Sequence, residues 1–155
     1  MKKINAYWEK RNLGVNCVEL NVDNNDTLSE FDAMVRELQS EYQILRIPSG
    51  KTDMLLLAQT LGFHIIEMNV QLSKTTKNYT IPSIYKRYEP FINIVEVGES
   101  GIDKVLDEIK KGDLFVTDKV AKDPYFSSEK SGIRYYHWSK DILNKGAHIY
   151  MVQYN

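Results

Sequence analysis

The stretch Glu41–Thr75, EYQILRIPSGKTDMLLLAQTLGFHIIEMNVQLSKT, decides how the first half of the chain is read. Tyr42 to Ile47 is a compact aliphatic and aromatic run stopped by Pro48, Ser49 and Gly50, which predicts a short strand. Met54, Leu57, Ala58 and Leu61 recur at i, i+3, i+4 and i+7, the apolar stripe of a helix lying on something larger. Ser49 or Thr52 is placed to cap its start, and Gly62 to close its end in a left-handed conformation. Phe63 to Leu72 then alternates. His64, Ile66, Met68, Val70 and Leu72 share one face and Glu67, Asn69 and Gln71 the other, which predicts a long strand with one wet side. The whole stretch is therefore expected to be a βαβ unit.

Working towards the N-terminus, Thr27-Leu28-Ser29-Glu30 has the form of a capping box, and Phe31, Met34, Val35 and Leu38 give the helix behind it a buried side. Val15 to Val22 alternates as a strand, and Ile4, Tyr7, Trp8 and Arg11 space an amphipathic helix over residues 2 to 13, closed by Gly14. A three-stranded β-α-β-α-β lobe with right-handed crossovers is expected over 1–73. Residues 74–90 are rich in Lys, Thr and Tyr, carry Pro82 and Pro90, and read as a linker.

A second lobe is expected over 91–155. It starts with a strand from Phe91 to Val97. Next comes a helix capped by Ser100, with the stripe Ile102, Val105, Leu106 and Ile109 ended by Gly112. Leu114 to Thr117 reads as extended and the residues up to Ser131 as a polar loop. The helix from Gly132 to Asn144 is expected to bury Tyr135, Tyr136, Trp138, Ile142 and Leu143 and to turn Arg134, His137, Lys140 and Asp141 to solvent. Ala147 to Tyr154 reads as a last strand, apolar enough on both faces to be covered. The fold class is thus α/β.

The 155 residues, 43% apolar and 26% charged, have the balance of an ordinary globular chain. A formal charge of −1 makes no electrostatic case for nucleic acid or an anionic membrane. A single Cys17 rules out an internal disulfide. With no leader or long apolar span, the chain is read as cytoplasmic, and the N-x-T sequons at Asn25 and Asn78 as chance. Cys17 sits in a strand-like run without a nearby His, which suits a structural thiol rather than a nucleophile.

No motif specifies chemistry strongly. Ser49-Gly50-Lys51-Thr52 resembles the end of a phosphate-binding P-loop, but Leu45 stands where that loop needs glycine. The helix start with Lys51 and Arg46 nearby leaves only a weaker option, contact with an anionic sugar phosphate. His64, His137 and His148 have no ligand-spaced partners, so no metal site is expected. Glu67, Glu96, Glu99 and Asp123 are each conceivable general bases, and none is assigned.

The segments LLLAQTLGFHIIEMNVQL and KDPYFSSEKSGIRYYHWSKDILNKGAHIYMVQYN together resemble acetyltransferases of the GNAT superfamily, TDP-fucosamine acetyltransferase-like members in particular. The resemblance implies acetyl-CoA-dependent N-acetylation of an amino sugar, nucleotide sugar or other small amine. It also implies an acceptor pocket walled by the loop and helix that here carry Tyr125, Phe126 and Tyr136. The family's glycine-rich Q/R-x-x-G-x-G/A turn for the pyrophosphate does not occur in this sequence. Only the N-terminal part of such a fold is therefore expected, a β-α-α-β portion over 91–155, as a truncated or natural half-protein that does not bind acetyl-CoA tightly. The alternative is a non-catalytic binding or assembly module that self-associates, most simply as a homodimer, through its last strand.

Overall fold

The computed structural model describes residues 1–154, a mixed α/β fold with two small sheets. The first sheet is built on β2 (Cys17–Asn21). On one side lies β1 (Lys2–Asn5), antiparallel with Ile4 opposite Glu19; on the other lies β3 (Tyr42–Arg46), parallel with Glu19 opposite Ile44. Between them run α1 (Trp8–Leu13) and α2 (Leu28–Arg36), and α3 (Thr52–Thr60) follows β3.

Alternation along β2 sends its side chains to two different environments. Val18 and Leu20 enter a core with Phe31, Val35 and Leu38 from α2 and its exit, and with Met54 and Ala58 of α3; Leu57 and Leu61 pack against it, half-buried. Cys17 and Glu19 face the other way and are also buried. A parallel strand pair covered on both faces is the usual condition for such pairing. The capping box at Thr27 is complete: its side chain accepts from Glu30 N–H while the Glu30 carboxylate accepts from Thr27 N–H.

Several expected elements are corrected. Residues 2–13 are a strand and a six-residue helix rather than one helix, because Lys2–Asn5 closes the open edge of β2 and Ala6 N–H donates to Cys17 C=O. The strand expected over 63–72 does not form. The alternating segment pairs with neither outer edge of the sheet, β1 or β3, and Met68, Val70 and Leu72 are exposed, so alternation alone did not bring it a partner strand. Gly62 does close α3 at φ +90°, but no side chain caps the helix start, at which Lys51 stands. Residues 74–90 hold a short helix, α4 (Ser83–Lys86), and a 3₁₀ turn begins at Glu89.

The second sheet is a two-stranded antiparallel ribbon of β4 (Ile92–Glu96) and β5 (Tyr150–Tyr154), with Ile94 opposite Val152. Between them run α5 (Glu99–Lys111), α6 (Lys119–Lys122) and α7 (Ser128–Leu143). Gly98, not Ser100, stands at the N-cap of α5. Leu114 to Thr117 does not extend but continues a 3₁₀ turn, Asp113–Phe115, whose Phe115 ring stacks 4.0 Å from that of Tyr135.

Helix α7 is the hub. It packs against α5, α6 and, across the chain, α1. The end of α5 meets α7 so closely that a Cβ on Gly132 would lie 2.5 Å from Lys110 O and 2.6 Å from Gly112 N. Gly112, at φ +84°, closes α5 in the left-handed region. Gly132→Ala is therefore expected to force α5 and α7 apart and to lower the melting temperature markedly. Gly50→Ala, with open space around it, is the control; equal melting curves for the two variants would refute the close approach.

Candidate functional site

The most developed polar arrangement lies where α1 crosses α7. Gly14 ends α1 at φ +86°, and Glu9, Asn12 and Leu13 are buried on its inner side. The Glu9 carboxylate, 1% exposed, collects three donors: Arg134 Nε at 3.1 Å, Trp8 Nε1 at 3.2 Å and Asn12 Nδ2 at 3.2 Å. Because the Asn12 amide nitrogen is directed to Glu9, its oxygen faces His137, 3.0 Å from Nδ1; the imidazole is then the donor. Arg11 adds an exposed two-pronged pair with Asp141, at 2.5 and 3.2 Å.

Burial costs a carboxylate heavily unless it is paired and hydrogen-bonded, and removing one partner of such a pair typically costs about 3–5 kcal/mol. Burial alone works to lower the pKa of Arg134, but the Glu9 charge overrides it and the guanidinium is held more firmly protonated. His137 is pushed the other way, below its ordinary value, by burial and then by the Arg11 charge. Asp141 is held low by its hydrogen bonds from Arg11.

Between the two helices opens a cleft of about 240 Å³ lined by Trp8, Arg11, Asn12, Arg134, Trp138 and Asp141. The sequence reading turned Arg134, His137 and Asp141 to solvent and Trp138 to the core. The structure overturns part of that: Trp138 is 57% exposed, Ile142 is also exposed, and Arg134 is held at buried Glu9, while Asp141 stays in an exposed pair with Arg11. The missed signal is the polar stripe 134, 137, 141 on α7, which matches the polar positions 9, 11 and 12 on α1.

The residues singled out from sequence are dispersed. Tyr125 and Phe126 pack on Tyr42 of β3, with ring centroids 5.8 and 4.9 Å away, and the Tyr42 hydroxyl donates to the buried Asp123 carboxylate. Tyr125 is exposed and Phe126 half-buried. Tyr136 lies instead between the ammonium groups of Lys110 and Lys140, 5.5 and 5.4 Å from its ring. None of the three lines the cleft.

The other candidates are engaged elsewhere. Lys51 donates to Asp26 C=O and Arg46 pairs with Glu19, so both cations proposed for an anion beside α3 have protein partners. Glu67 meets Lys119, and Glu96 meets His148 on the ribbon. Buried Cys17 lies near Glu9 and Glu19; burial first, then those charges, push its thiol up to about 12, consistent with a structural role. Among the described residues no group of three or more His, Cys, Asp or Glu is arranged to hold a metal ion, and no helix is long and apolar enough to cross a membrane.

The ribbon is the other notable surface. Every residue of β4 and β5 is exposed. Ile92, Ile94, Tyr150, Val152 and Tyr154 share one face, apolar except for Glu96 at its end opposite Tyr150; Asn93, Val95, Met151 and Gln153 make the other face mixed, where the sequence suggested two apolar faces.

The depressed pKa of His137 has a defined consequence. The unfolded state takes up a proton near pH 6.5 while the folded state resists it, so the contribution of neutral His137 is complete above that pH and is lost as pH falls through the lower folded value. Melting curves from about pH 7.5 to about pH 5 are expected to fall more steeply for the natural chain than for His137→Gln. Parallel slopes would show that His137 does not report on the clasp.

No protein-family model matches the chain, and no curated protein or solved structure matches it.

Proposed function

We propose that the chain is a binding and assembly module that pairs with a second copy of itself through the outer edge of β5. The observation that supports this is the exposure of the whole ribbon together with the direction of its backbone groups. Val97 N–H donates to Ile149 C=O, so hydrogen-bonded pairs fall at 97/149, 95/151 and 93/153. The N–H and C=O groups of Tyr150, Val152 and Tyr154 therefore point away from β4. Edges of this kind are commonly blunted by charge, proline or a bulge, and YMVQY carries no charge and no proline.

A second copy suits this edge for a physical reason. An uncharged strand meets no like-charge repulsion when it pairs antiparallel with itself. A two-fold axis at Val152 then sets Tyr150 of each copy opposite Tyr154 of the other, and aromatic cross-strand pairs are favourable. This reading assigns the chain to the cytoplasm, supported by a lone buried Cys17 in no disulfide.

Light scattering is expected to give a dimer, and Val152→Pro a monomer, because proline removes an outward N–H without touching the ladder to β4. A monomeric natural chain at millimolar concentration would overturn the reading.

A second reading, the N-terminal part of a GNAT-type acetyltransferase acting on a small amine or nucleotide sugar, is supported by one feature. Between the antiparallel strands β4 and β5 the two long helices α5 and α7, with the one-turn α6 between them, are similar to the β-α-α-β portion that the resemblance implies. On this reading the isolated chain still binds acetyl-CoA weakly or not at all, for want of the glycine-rich turn. Calorimetry giving a micromolar dissociation constant would show that the cofactor has another cradle.

A further inference from the structure

The cleft between α1 and α7 has binding capacity that the fold does not use. Arg134 makes one protein hydrogen bond, from Nε to Glu9, and its two terminal nitrogens have no acceptor among the described residues. Those nitrogens reach solvent, since among the described residues the only buried side-chain polar atom without a partner is Asn21 Oδ1. Arg11, by contrast, has both terminal nitrogens on Asp141. Asn12 is also committed at both ends, to Glu9 and His137. The unpartnered donors of the lining are therefore the two Arg134 terminal nitrogens, whose plane the Glu9 bond fixes, with Arg11 Nε and the Trp138 indole N–H beside them.

The rest of the lining specifies what those donors meet. Trp8 and Trp138 are 36% and 57% exposed and do not stack on each other; each touches a different tyrosine, Tyr7 and Tyr135. Two indoles in one cleft offer faces to a flat ring. Asp141 offsets the Arg11 charge and Glu9 the Arg134 charge, so what draws an anion is not net charge but the directed terminal N–H groups of Arg134 that have no acceptor. At about 240 Å³ the cleft lies below the roughly 300–1,000 Å³ range of pockets for drug-sized ligands, which restricts the ring to a small one.

We propose that this cleft binds a small aromatic carboxylate, with its ring against the Trp8 and Trp138 indoles and its carboxylate on the terminal nitrogens of Arg134. A guanidinium end meets a carboxylate through two parallel N–H···O bonds, a geometry that neither an amide nor a lone ammonium reproduces. The Glu9 carboxylate stands behind Arg134 and does not line the cleft, so it orients the guanidinium without occupying the ligand's place.

The two cleft tryptophans are the only ones in the chain, so intrinsic fluorescence reads the site directly. Titrating the full chain with benzoate is expected to give a saturable change in emission. Benzamide, with the same ring and no charge, is expected to bind at least about tenfold more weakly. Arg134→Lys keeps a cation beside Glu9 but removes the fork, and is expected to weaken benzoate by at least about tenfold. Trp138→Leu, at an exposed position, should fold normally and weaken benzoate as followed by ligand-observed NMR, even if Arg134→Lys proves unstable. No saturable change up to about 10 mM benzoate would overturn the proposal, since binding weaker than that is worth under about 3 kcal/mol. So would benzamide binding as tightly as benzoate, or benzoate binding unchanged by Trp138→Leu.

Discussion

A buried carboxylate joins the two ends of this chain. Glu9 lies 125 positions before Arg134, and the 3.1 Å contact between them ties the N-terminal helix to the longest helix of the second half. Such a pair adds little net stability over a well-packed apolar pair, yet breaking it on one side is severe. It therefore works as a registry device: α1 packs on α7 in the one position where Arg134, Trp8 and Asn12 all reach Glu9. His137 and Asp141 then fall opposite Asn12 and Arg11 without further adjustment.

That constraint gives the first sheet its second cover. On one face, α2 and α3 close an apolar core around Phe31, Leu20 and Met54. The other face carries Cys17 and Glu19, residues that belong to a polar layer. Glu19 pairs with Arg46, while the Tyr42 hydroxyl reaches Asp123 at the end of α6. Asp118 at the start of α6 accepts from Ser131 and Tyr135 of α7, at 2.8 and 2.9 Å. One apolar layer and one hydrogen-bonded layer thus sandwich a single short strand.

The β4–β5 ribbon stands apart from both layers. Two-stranded ribbons are marginal in water unless a face is covered. Here Ile94, Val152 and Tyr154 are all more than half exposed, and so are Met68, Val70 and Leu72 in the irregular stretch after α3. The contrast between a closed polar clasp at α1–α7 and an open apolar ribbon at β4–β5 separates a surface suited to a small ligand from one suited to another chain.

Local patterns were legible where one element settles its own geometry. The Thr27 capping box, the Gly62 and Gly112 helix ends, the α2 and α3 stripes and the β4 and β5 runs all follow from residue spacing, because each depends on neighbours within about four positions. Alternation over 63–72 was equally clear and formed no strand. A strand needs pairing with another as well as alternation, and while Lys2–Asn5 joined β2, residues 63–72 joined neither open edge of the sheet. The candidate site was the least legible part. Arg134, His137 and Asp141 look solvated on a lone helix, and become a clasp only when Glu9, Arg11 and Asn12 arrive from the far end of the chain. The sequence by itself determined those elements whose caps and stripes close within a few residues, α2, α3, α5 and the β2, β3, β4 and β5 runs. Tertiary structure decided which polar groups meet, because a buried charge is satisfied by partners brought together in space and not by those adjacent in sequence.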